Sequence, residues 1–65
     1  MYMSKYRYYC LDHAGDIAFA EWINSTNDAA AVAKVRSLRK NARQCEVWQG
    51  KRLVAELSAQ DLAAA

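Results

Sequence analysis

His13 stands between Asp12 and Asp16, the one arrangement in this 65-residue chain that approaches a catalytic pairing. A histidine beside carboxylates can act as a general base. It is the only histidine, and it sits in a turn-forming run. No Ser-His-Asp constellation, Gly-rich phosphate loop or metal-ligand spacing accompanies it. The sequence therefore predicts a solvated turn histidine, with no enzyme activity, no cofactor and no metal site. Cys10 and Cys45 are the only cysteines. Secreted domains of this size usually carry about four or more. Both fall in predicted strands, so they read as small buried hydrophobes in a reducing cytoplasm.

Two further groups carry recognition chemistry. Arg36, Arg39, Lys40 and Arg43 crowd the end of a predicted helix. Cations there complement the helix dipole, and a phosphate backbone would neutralise their mutual repulsion. The second group is Arg7, Tyr9, Trp22, Trp48, Arg52 and Val54, which period-two alternation places on one sheet face. Aromatic rings on a sheet can stack bases while arginines hold phosphates. Protein interfaces favour the same residue types.

These residues need elements to position them. Residues 6–11 are rich in strand-favouring aromatics, and residues 17–23 alternate as a return strand. Between them, residues 12–16 form a turn cluster with Gly15 free to take positive φ. Ser25, Thr26 or Asn27 can cap a helix that begins near Asp28 and runs to Asn41 or Arg43. Its apolar stripe is Ala31, Val35, Leu38 and Ala42. Residues 44–48 and 52–57 make a second hairpin around Gly50. Ser58 followed by Asp61 resembles a capping box for a last helical turn, with residues 62–65 fraying unless packed. The order is β-β-α-β-β, an α+β fold. One helix lies on a four-stranded, mainly antiparallel sheet with strand order 2-1-3-4.

Alternation assigns Tyr6, Tyr8, Cys10, Ile17, Phe19, Ile23, Cys45, Val47, Leu53, Ala55 and Leu57 to the face beneath the helix. The opposite face takes both tryptophans and has only the tail to cover it. Runs such as Tyr6-Arg-Tyr-Tyr-Cys-Leu-Asp12, Gly15-Asp-Ile17, Asn27-Asp-Ala-Ala-Ala31 and Val47-Trp-Gln-Gly-Lys-Arg-Leu-Val54 resemble small uncharacterised bacterial β-β-α-β-β proteins. Those have a tyrosine-rich first strand and a W-Q-G-x-R hairpin. The resemblance spans about residues 5–57 and implies the fold and a cytoplasmic bacterial setting, without an activity.

A chain this short forms a single domain over residues 1–65, with an ordered core of about 5–57 and a short helical or frayed tail at 58–65. It buries only about 60% of its unfolded surface, so ordering cost and burial nearly cancel, and such a domain usually needs disulfides, a metal or a partner subunit. Net charge is +2, too small to imply nucleic acid by itself. Residues 1–9 hold Lys5, Arg7 and several tyrosines, and no run approaches the roughly 18 apolar residues of a membrane span, so neither a signal peptide nor a span is expected. The expectation is a non-enzymatic interaction module, a homo-oligomer joined through its aromatic face or a sheet edge. The alternative is nucleic-acid binding.

Overall fold

The structure, a computed structural model, describes residues 2–63. Strands β1 (Ser4–Leu11) and β2 (Ile17–Ser25) precede helix α1 (Asp28–Leu38). Strands β3 (Gln44–Gln49) and β4 (Arg52–Ser58) and a short helix α2 (Ala59–Ala63) follow. The strands form one antiparallel sheet in the expected order β2-β1-β3-β4, in which every neighbouring pair runs antiparallel.

Local chemistry explains each junction. Asp12 Oδ1 accepts hydrogen bonds from the amides of Ala14 and Asp16 at 2.9 and 3.0 Å. Gly15 completes that turn at φ 82°, and Gly50 turns the second hairpin at φ 60°. Asn27 is the N-cap of α1, its Oδ1 accepting from Ala30 N at 2.8 Å. Ser58 and Asp61 form the expected reciprocal cap. The Ser58 amide donates to Asp61 Oδ2 at 2.9 Å, and the Asp61 amide donates to Ser58 Oγ at 3.1 Å. The Ser58 amide and hydroxyl hold the Asp61 carboxyl below its ordinary value.

Helix α1 is shorter than expected. It ends at Leu38, with Arg39 as its C-cap, rather than at Asn41 or Arg43. Alanine density carries no stop signal, and no glycine marks the end. The end is set by tertiary demands: Ala42 packs on the core, and Gln44 pairs with Leu11. The chain must leave the helix to meet both. The tail is also better fixed than expected. Leu62 is fully buried, α2 packs on β4 and α1, and Arg36 Nε donates to the Asp61 carbonyl at 3.2 Å. Residues 64–65, which the fraying expectation also covered, lie outside the described residues.

The core lies between sheet and helices. It is built from Tyr6, Tyr8 and Cys10 of β1, Ile23 of β2, Cys45 and Val47 of β3, Leu57 of β4, Ala31 and Val35 of α1, and Leu62 of α2. Three residues expected beneath the helix are exposed instead: Ile17, Phe19 and Leu53. Two register shifts account for Ile17 and Leu53. One lies at Cys10/Leu11 and pairs Leu11 with Ile17; the other lies at Val47/Trp48 and pairs Trp48 with Leu53. Each shift inserts an extra residue and breaks strict alternation. Phe19 keeps its place opposite Cys10, but α1 ends too early to cover it. The Arg39 guanidinium covers it instead, 3.8 Å above the ring centroid.

Candidate interaction surface

The second shift corrects the expected interaction face. Val54 is the extra residue, so Arg52 pairs with Gln49 and Leu53 pairs with Trp48. Gln49 follows Val47 by two positions and shares its helix-side face. Arg52 therefore lies on the helix side and not beside the tryptophans. There it donates two hydrogen bonds to Asp28, at 2.8 and 2.9 Å, and a third to Gln49 Oε1. Tyr6 Oη donates to the same Asp28 carboxylate at 2.9 Å. The Arg52 bonds, then the Tyr6 bond, hold the Asp28 carboxyl down at about 2. Val54 is half-buried and packs against the core, so it too leaves the expected face.

The remaining members do come together. Register places Trp22, Arg7, Trp48 and Leu53 in one row across all four strands. Ala20, Tyr9, Glu46 and Glu56 form the next row. Arg7 lies 4.9 Å from the Trp22 ring centroid and 5.5 Å from that of Tyr9. Lys5 also approaches the Trp22 ring, at 5.3 Å. These cation–π contacts fix the rings and lower the cost of leaving them partly in water. Trp48 Nε1 donates to Glu46 Oε1 at 3.2 Å. With α2 packed on the helix side, neither helix covers this face. It carries both charge signs, Lys5 and Arg7 against Glu46 and Glu56, and so has no basic bias.

The basic arc dissolves. Arg36 holds the α2 backbone. Arg39 caps α1 and joins a cluster at the β2 margin. Its Nε donates to Tyr8 Oη at 3.0 Å, while Tyr8 Oη donates to Glu21 Oε1 at 2.6 Å. Arg39 Nη2 sits 3.8 Å from Glu21. Burial, then the bond to Glu21, pushes the Tyr8 phenol up to about 12. Only Lys40 and Arg43 of the four stay fully exposed without such roles, and they follow the helix rather than lie on it. Sequence reasoning missed both the Tyr8–Glu21–Arg39 and the Tyr6–Asp28–Arg52 clusters. Each joins residues 13 to 31 positions apart, so no local spacing signals them.

The edges of the sheet are unequal. Strand β2 is an outer strand of nine residues, and six of them are exposed. It displays Ile17, Phe19 and Trp22, with 60%, 38% and 56% of their surfaces exposed. Its only charged side chain is Glu21, already engaged by Tyr8 and Arg39. It contains no proline, lysine or arginine. Strand β4, the other edge, carries Arg52 and Glu56 and runs directly into α2. Among the described residues, no helix is long and apolar enough to cross a membrane. His13 is exposed in its turn, and among the described residues no group of three or more His, Cys, Asp or Glu side chains is placed to hold a metal. No protein-family model, curated protein or solved structure matches this chain.

Proposed function

We propose that the protein is a non-enzymatic interaction module that self-associates through the outer edge of β2. The observation that carries this is the concentration of exposed apolar surface on an edge strand with no lysine, arginine or proline of its own. Proteins usually blunt such edges with charge, proline or a cover, because free N–H and C=O groups template pairing. A second copy is the partner that matches by construction. Two β2 strands set antiparallel about a twofold axis would give one continuous eight-stranded sheet, with the same residues meeting on both sides. The two Trp22 rings would extend the open face across the join.

Nucleic-acid binding is the competing reading. Against it, Arg36, Arg39 and Arg52 already hold intramolecular partners, and acidic residues share the open face. Light scattering after size exclusion at micromolar concentration tests the proposal. The expected mass is twice the 7.3 kDa chain. A double Ile17→Lys/Trp22→Lys variant should elute at the chain mass with an unchanged far-UV spectrum. A wild-type protein that stays at the chain mass, and shows salt-sensitive binding to single- or double-stranded nucleic acid, would replace this reading with the competing one.

A further inference from the structure

Cys10 and Cys45 face each other directly across the central strand pair β1/β3. Directly opposed residues in an antiparallel pair have Cα atoms about 4.5 or 5.5 Å apart, depending on whether they exchange hydrogen bonds. Both separations fall inside the window of about 4.4–6.8 Å that a disulfide spans. Both side chains are free thiols, and both belong to the helix-side core. Their surroundings differ. Cys45 is wholly enclosed, whereas Cys10 keeps a small exposed fraction and lines an open groove of about 520 Å³. Phe19, Leu38, Arg39 and Ala42 complete the wall of that groove.

We propose that Cys10 and Cys45 are a reversible dithiol, closed by small hydroperoxides into an intramolecular disulfide across β1 and β3. The groove admits the oxidant to Cys10 and not to Cys45, which sets the order of steps. The Cys10 thiolate attacks the nearer peroxide oxygen and the O–O bond breaks. Sulfur is oxidised to a sulfenic acid, and the departing alkoxide takes up the proton that the thiol released. The Cys45 sulfur then attacks the Cys10 sulfur and the S–O bond breaks. Hydroxide leaves and takes the Cys45 proton as water. Two thiols and one hydroperoxide thus give one disulfide, one alcohol and one water. Burial, aided by a hydrogen bond to Cys10, pushes the Cys45 thiol up to about 12, so it is a poor first nucleophile. Its role is to resolve the sulfenic acid, for which its position opposite Cys10 suits it. The Arg39 charge is close enough to pull that value partly back down. Because the partners already sit opposite each other, closure requires no change of register.

Exposing the folded protein to dilute hydrogen peroxide at neutral pH tests this. The thiol count under denaturant should fall from two to none, and the intact chain should lose the mass of two hydrogens. Trypsin should then release residues 8–34 joined to residues 44–51, and dithiothreitol should separate them. A Cys45→Ala variant should instead accumulate a sulfenic acid on Cys10 that a cyclic 1,3-diketone traps. The wild-type peptide map decides the matter whether or not that variant folds. Unchanged thiols in the folded protein, oxygen added to Cys10 with Cys45 still free, or a disulfide between two chains would each overturn the proposal.

Discussion

Asp28 accepts three hydrogen bonds through one carboxylate, two from Arg52 and one from Tyr6. It also occupies the first turn of α1, where negative charge complements the helix dipole. This single residue therefore ties helix, first strand and last strand together. Its folded value of about 2 lies below the ordinary 3.8. A depressed carboxyl contributes stability that is fully present above the ordinary value and lost as pH falls through the folded one. The melting temperature should accordingly drop between about pH 4 and pH 2. Asp61 titrates with the same sign, so Asp28→Asn should flatten that slope only in part while lowering stability at neutral pH. A variant whose acid profile overlays the wild type would show that the Arg52 pair contributes nothing. None of this was legible in the sequence beyond Asp28 as a first-turn acid. Arg52 reaches it only because an extra residue in β4 turns Arg52 to the helix side.

At the scale of elements, chemistry confined to a few neighbouring residues was the most legible. The glycine turns, the Asn27 cap and the Ser58/Asp61 box rest on such contacts, and residue types signal them directly. Removing the cap in Asn27→Ala should cost about 1 kcal/mol, read from urea unfolding with an unchanged slope. Features that depend on distant partners were not legible. The end of α1 answers to the pairing of Gln44 with Leu11 and to the anchoring of Arg39 over Tyr8 and Phe19. The register shifts at Cys10/Leu11 and Val47/Trp48 lie in pairings between strands, which residue type does not signal. Alternation counted forward from Tyr6 stays correct to Cys10, whereas counted backward from Leu57 it fails beyond Ala55. That failure misplaces Arg52, Leu53 and Val54, while alternation puts Arg7, Tyr9, Trp22 and Trp48 on the face they occupy.

For the whole molecule, the layout is a sheet with one side covered by both helices and the other side open. The core is small, and its largest fully buried side chains are Tyr6 and Tyr8, whose hydroxyls reach Asp28 and Glu21 at the margins. Such a chain has little stability to spare. If pairing of β2 edges completes it, folding and association are linked, and the melting temperature must rise with protein concentration. Calorimetry over a hundredfold concentration range should show that rise in the wild type and none in the Ile17→Lys/Trp22→Lys variant. A disulfide between Cys10 and Cys45 would act on the unfolded chain instead. Closing so long a loop is worth roughly 4 kcal/mol in the chain-entropy account, independent of concentration.

The extra residue in β4 also governs how this protein tolerates change in length. Removing Val54 would remove the bulge and leave the pairing intact. With Leu57 and Ala55 held in register, strict alternation would return with Leu53 still opposite Trp48 and Arg52 still opposite Gln49, each on the face it now occupies. Arg52 would keep its reach to Asp28, and the core would lose only the Val54 side chain. A loss of one residue in the 12–16 turn falls outside every buried contact and leaves both faces as they are. Among natural or selected variants of this chain, single-residue losses should therefore gather at the first hairpin turn and at Val54, and be absent between Tyr6 and Cys10 of the central strand β1, where a slip turns part of the strand to the wrong face. A library of single-codon deletions sorted for folded, soluble protein would display that asymmetry directly.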